Sequence, residues 1–149
     1  MYSNDLVCDI LIYINNNYKR DISIDYIANY FSYNRFYIMK LFKREIGDSI
    51  INYVNKLRVY RSISFFRDHK SILNISISSG FNSLEYYSEM FKKHIGISPS
   101  KYKNLYNLEN KEMVINNLNN LRRLFQYVDN YLSRREPKQL PVYRRSIFK

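Results

Sequence analysis

Tryptophan is absent from this chain of 149 residues, and cysteine occurs once, as Cys8. A single thiol excludes an intrachain disulfide and suits a reducing cytosol. No apolar run approaches the ~20 residues that a membrane-crossing helix needs. The start lacks the basic, then apolar, then small-residue pattern of a secretion signal. Catalytic signatures are missing too. His69 and His94 stand far apart, and neither has a second His or Cys at ligand spacing. They read as surface or helix-end histidines, with no metal and no cofactor expected. No glycine-rich phosphate loop, HExxH or GxSxG sequence occurs, so the expectation is that the chain is not an enzyme and has no catalytic residue. Acidic side chains are scarce: 13 Asp+Glu stand against 24 Lys+Arg, a formal net charge of +11.

What is present begins with that charge, which favours a polyanionic partner without naming it. Residues 19–70 hold 11 Lys/Arg and 5 Asp/Glu, and residues 104–149 hold 9 and 4. The first part and the tail therefore carry the positive field. Apolar residues make up 46%, enough to build the core of one compact domain or two very small ones. The 16 tyrosines read as compositional bias and are given no collective role.

The most informative pattern is a near-repeat. Phe42-Lys43-Arg44-Glu45-Ile46-Gly47-Asp48-Ser49 returns 49 positions later as Phe91-Lys92-Lys93-His94-Ile95-Gly96-Ile97-Ser98. Each copy closes a helix-turn-helix pattern. Leu6, Val7, Ile10, Leu11 and Ile14 mark a first helix capped by Asn4 or Ser3. Ser23 caps a second helix with Ile24, Ile27, Ala28 and Phe31 inward. Asn34 caps a third, which stops at Gly47. A longer helix follows over about 50–67. In residues 71–79 the alternation of Ile75-Ser76-Ile77-Ser78 fits a strand as well as a helix, and the repeat decides for helix. After Gly80-Phe81-Asn82, either Asn82 or Ser83 caps a helix that ends at Gly96, and Ser98-Pro99-Ser100 opens a short last turn. Val114, Leu118, Leu121, Phe125, Val128 and Leu132 then recur as a heptad seam. The reading is all-α: a first subdomain about 4–48, a linker helix about 50–67, a second subdomain about 71–103, a C-terminal helix in 104–135 and a basic flexible tail in 136–149.

These residues resemble the AraC/XylS family of bacterial transcription regulators. The likeness rests on Ile27-Ala28, Leu41 to Gly47, Leu57-Arg58, Gly80-Phe81, Met90-Phe91-Lys92-Lys93 and Gly96 to Lys103. It covers about residues 4–103. It implies two helix-turn-helix subdomains joined by a long helix, a duplex DNA promoter as partner, RNA polymerase as a second partner, and a role as activator in the bacterial cytoplasm and nucleoid. The immediate start of the first helix and Met1 argue for a complete, stand-alone product without an effector domain.

Helix-turn-helix recognition needs one helix face against the core and the other armed for base edges and phosphates. In the first recognition helix Arg35, Phe36, Met39 and Lys40 face out as base contacts: Arg35 and Lys40 toward guanine, Phe36 toward a thymine methyl. Lys43 and Arg44 suit phosphates, as does the helix start at Asn34. In the second, Leu84, Glu85 and Glu89 take the base-facing positions, and Asn82, Ser83, Lys92 and Lys93 the phosphate positions. Two carboxylates one turn apart meet phosphates poorly, so the first unit is expected to dominate; Glu85 or Glu89 accepts from cytosine N4, or, as is commoner, Glu89 pairs with Lys92 or Lys93 and adds little. The heptad seam either folds back on the chain or pairs two copies through residues 114–132. Arg122, Arg123, Arg134 and Arg135 line its polar side, with Arg144 and Arg145 in the tail. The competing reading is a protein-interaction adapter or co-regulator, built on the C-terminal helix and the acidic second recognition helix. A weaker third is a basic protein lying on anionic lipid.

Overall fold

The computed structural model describes residues 2–68, 70–104 and 111–134, all helix and turn with no strand among them. In chain order the elements are α1 (Tyr2–Asn17), α2 (Ile24–Phe31), α3 (Arg35–Ile46), α4 (Ile50–Ser62), a 3-10 helix (Ile63–Asp68), α5 (Ile72–Ser78), α6 (Leu84–Ile95), α7 (Pro99–Lys103) and α8 (Lys111–Ser133). The all-α reading holds, and so does the helical choice for the ambiguous isoleucine-serine segment. Ser71 caps that segment by accepting a hydrogen bond from the Asn74 amide, and Ile75 and Ser76 are buried. His69 and the tail from Arg135 onward lie outside the described residues.

Two boundaries differ from the sequence reading. Helix α1 runs back through Ser3 and Asn4 to Tyr2, so neither marks its start. The amides of a first turn have no intrahelical partner, which lets polar residues sit inside it. The linker helix is α-helical only to Ser62 and then tightens. There the Ser62 hydroxyl donates to Val59 O at 2.6 Å and the Ser64 hydroxyl to Arg61 O at 3.0 Å, occupying carbonyls that a continuing helix would use.

The described residues form two compact units. The first unit takes α1 to α3, the opening turn of α4 and the end of α8. Its core is the α1 stripe of Leu6, Val7, Ile10, Leu11 and Ile14 with Ile27, Phe31, Ile38, Phe42 and Tyr53, all buried. Tyrosines contribute to that core. Tyr13 lies 5.0 Å from Tyr30, and Tyr30 packs edge-on to Phe31 at 4.7 Å. Such rings bury large area and also interact through their edges.

The second unit takes Tyr18–Asp21 and the described residues between Val54 and Gln126. Val59, Ile75, Tyr87, Phe91 and Ile95 are its fully buried centre, and Val114 and Leu121 of α8 belong to the same core. The Arg58 guanidinium ties down the 18–21 segment, donating to Tyr18 O at 2.7 Å and to Arg20 O at 2.8 Å. Burial pulls its pKa below the ordinary arginine value, opposed by the nearby Asp21 carboxylate. In α8, Val114, Leu121 and Val128 are buried and Leu118, Phe125 and Leu132 half-buried, so the heptad seam packs within its own chain.

Glycines in left-handed backbone carry different loads in the two units. Gly47 (φ +84°) has nothing within 4 Å of a would-be Cβ, whereas at Gly80 (φ +93°) a Cβ would meet Lys19 Cα and Tyr18 O at 2.7 Å. Thermal denaturation should therefore separate two substitutions. Gly47→Ala should cost about 1 kcal/mol of left-handed strain. Gly80→Ala should cost roughly 3 kcal/mol or more, because backbone must also move.

Candidate nucleic-acid interface

Each candidate interface starts from a helix pair closed by the same backbone bonds. In the first unit Ser32 adopts left-handed backbone (φ 59°), and the Tyr33 amide donates to Ala28 O at 3.0 Å. In the second, Gly80 takes the left-handed position and the Phe81 amide donates to Ser76 O at 3.1 Å. Ala28 and Ser76, the residues whose carbonyls accept these bonds, are both small and buried. Asn34 and Ser83 then cap the second helix of each pair. Asn34 Oδ1 accepts from the Phe36 amide at 2.9 Å, and Ser83 Oγ from the Tyr86 amide at 3.1 Å.

Helix α3 is buried along Ile38, Leu41, Phe42 and Ile46 and bare on the other side. Phe36 is 68% exposed, and Met39 and Tyr37 are exposed beside it. Phe36, Tyr37, Met39, Lys40 and Lys43 line an open groove of about 760 Å³, completed by Ile24, Ser49 and Ile50. Three of the four candidate base contacts thus share one surface. Arg35 is the fourth and is held differently: its Nη1 lies 3.0 Å from Asp25 Oδ1, and its guanidinium sits 5.6 Å from the Phe36 ring. A pair this exposed contributes little to stability and exchanges readily for another anion or acceptor. Arg44, a candidate phosphate contact, is paired with Glu45 at 3.2 Å. Sequence reasoning missed Tyr37 and its stacked neighbour Tyr33, whose ring centroids lie 5.7 Å apart. The signal was present in Tyr37's position beside Phe36, but a tyrosine on a helix flank reads as ordinary surface.

Helix α6 buries Tyr87, Met90, Phe91 and Ile95. Glu85, Glu89, Lys92 and Lys93 are exposed, while Leu84 is half-buried against the core of its unit. Among the described residues Glu89 pairs with neither Lys92 nor Lys93, which corrects that expectation. Holding two long side chains in one geometry costs as much entropy as an exposed pair returns. Asn82 is engaged: its Nδ2 donates to Asp21 Oδ1 at 3.1 Å. Tyr86, half-exposed on the same helix, accepts from Asn55 Nδ2 at 2.8 Å. Among the described residues no group of three or more His, Cys, Asp or Glu gathers as a metal site. No described helix is long and apolar enough to cross a membrane.

Known proteins are similar to this chain. A family model described as a helix-turn-helix domain matches residues 27–104. The HTH-type transcriptional regulator YdiP of Escherichia coli K12 is 33% identical over 99 residues, 66% of this chain and 33% of its own length. The HTH-type transcriptional activator AarP of Providencia stuartii is 23% identical over 103 residues, 68% of this chain and 76% of its own. Among solved structures, the C-terminal domain of AraT, a response regulator from Geobacillus stearothermophilus, is similar with a TM-score of 0.64 at 25% identity. That match covers 66% of this chain and 84% of the other. The chain spans about a third of the length of YdiP.

Because Phe36 and Met39 make no part of the buried core, their removal should leave the fold alone. Phe36→Ala is expected to shift unfolding free energy by less than about 0.5 kcal/mol in denaturant titration. A larger loss would place Phe36 in the core and not on a contact surface.

Proposed function

The chain belongs to the AraC type of the helix-turn-helix family, and from that premise we propose that it is a transcription regulator that binds duplex DNA in a sequence-specific manner at promoters. The observation that carries the proposal is the bare face of α3, where exposed Phe36 and Met39 lie beside Lys40 and Lys43 in one groove. An apolar pair flanked by ammonium groups suits a major-groove surface that offers thymine methyls, guanine acceptors and phosphates together. In this reading Phe36, Met39 and Lys40 read bases, joined by Arg35 once it leaves Asp25. Lys43 and Arg44 hold phosphates, with the α3 start at Asn34. In the second unit Glu85 and Glu89 accept from cytosine N4 or stand idle, and Lys92, Lys93 and the α6 start at Ser83 meet the backbone. Net charge near the first recognition helix is positive and the second presents two carboxylates, so the first unit dominates affinity. The site spans roughly two turns of DNA.

The regulator acts in the cytoplasm and activates by touching RNA polymerase, a role supported by the likeness to the activator AarP. A homodimer would have to form elsewhere than the α8 seam, since Val114, Leu121 and Val128 are already buried. One observation favours the adapter reading: Glu85 and Glu89 are exposed and, among the described residues, make no ion pair.

Selection from a random DNA pool with excess non-specific competitor separates these. Two enriched blocks about one helical turn apart mean that both units read bases, and one block means that the first does. No enrichment makes the adapter the better reading. On the selected site, joint replacement of Phe36 and Lys40 by Ala should abolish specific binding. Glu89→Arg should tighten binding and steepen its salt dependence by about 0.9 in logarithmic slope, one added phosphate contact. A flat or opposite response removes the repulsive role given to Glu89.

A further inference from the structure

Helix α8 lies outside the segment that matches the family model, residues 27–104, yet it reaches the end of each recognition helix. The last carbonyls of any helix lack an intrahelical donor and must find one elsewhere. In the first unit the Tyr127 phenol supplies it, donating to Glu45 O at 2.9 Å. One turn along, the Tyr131 phenol donates to Glu45 Oε2 at 3.4 Å. The other oxygen of the same carboxylate, Oε1, receives Arg44 Nε at 3.2 Å. Glu45 is half-buried at 22% side-chain exposure, whereas Arg44 is 66% exposed. The order is therefore phenol, half-buried carboxylate, exposed guanidinium. Burial, reinforced by the Glu45 charge, pushes the Tyr131 phenol well above its ordinary pKa, so it stays a donor at any physiological pH. In the second unit, taken separately, Asn117 Nδ2 donates to Ile95 O at 2.9 Å, the last residue of α6. A Cβ on Gly96 would meet that same Asn117 nitrogen at 2.9 Å.

We propose that Tyr127 and Tyr131 are positioning residues for DNA binding: through Glu45 they fix the end of α3 and aim the Arg44 guanidinium at a backbone phosphate. A guanidinium held by one side of its fork keeps its remaining donors free for a phosphate oxygen. Without the two phenols, Glu45 and Arg44 remain as a loose surface pair, and ordering them is left to the moment of binding. The proposal rests on the DNA-binding reading above and adds to it a part of the chain that the family match does not include.

The test is a double-mutant cycle on the selected DNA site with the full chain. The Tyr127→Phe, Tyr131→Phe double variant keeps both rings and removes both hydroxyls. It should bind specific DNA about fivefold more weakly, the scale of one ordinary hydrogen bond. Its salt slope should become shallower, by at most the 0.9 or so of one whole phosphate contact. In an Arg44→Ala background the same pair of substitutions should change neither quantity, because the contact they serve is gone. Unchanged affinity in the double variant, or a loss that is the same with and without Arg44, overturns the positioning role. Arg44→Ala alone supplies a check that does not disturb α8, and an unaltered salt slope there also overturns it. If the unsubstituted chain selects no DNA, the proposal and the regulator reading fall together; failure of the cycle alone removes only the proposal.

Discussion

The two turns depend on one backbone hydrogen bond each, Tyr33 N–H to Ala28 O and Phe81 N–H to Ser76 O. Each bond reaches five residues back across a helix end, which demands a left-handed residue just before the donor. Ser32 accepts that conformation at some cost, and Gly80 accepts it freely. Both acceptors are small and buried, so a larger side chain at Ala28 or Ser76 would have to displace its neighbours. Once the bond is made, the direction of the next helix is set and so is the stripe it buries. The exposed stripe is what remains. Which side chains of α3 and α6 face outward is therefore decided in the helix before each of them.

The same frame carries opposite chemistry in the two units. Helix α3 offers aromatic and sulfur surface with lysines, and its acidic neighbour Asp25 is occupied by Arg35. Helix α6 offers Glu85 and Glu89 to the same side and keeps Lys92 and Lys93 for its final turn. A lysine-lined apolar groove gains from a polyanion at nearly every position, whereas a carboxylate gains only where a donor stands opposite. The two copies of the frame thus share geometry and differ in charge.

Much of this architecture was legible in the chain. The octapeptide repeat fixed the helix order, and it settled the Ile75–Ser78 segment, where periodicity alone could not. Caps at Ser23, Asn34, Ser71, Ser83 and Ser98 follow from residue type, because a short side-chain oxygen near a helix start has an amide within reach. The engagement of Arg35, Arg44 and Asn82 was not legible. Their partners Asp25, Glu45 and Asp21 are identified by rotamers and by separations of up to 61 residues, which no pattern encodes. Nor was the packing of Tyr13 on Tyr30. Tyr13 and Tyr30 sit on different helices, and their ring contact appears only after both helices are placed. The early tightening of the linker helix at Ser62 was readable in principle from the serines at 62 and 64, whose hydroxyls reach carbonyls three residues back.

The turn before α6 holds one residue more than the turn before α3: Phe81 and Asn82 lie between Gly80 and the cap Ser83, but only Tyr33 lies between Ser32 and the cap Asn34. The surplus is absorbed entirely ahead of the cap. From cap to closing glycine, Asn34–Gly47 and Ser83–Gly96 are of equal length and carry their buried residues in the same register. Each is a cassette with its own start and stop signals. Exchange of one for the other, by recombination within a gene or by deliberate grafting, would alter what is read while leaving the scaffold's numbering intact. Under the DNA-binding reading proposed above, a lineage that carried this chain would change its target sites by copying fourteen codons.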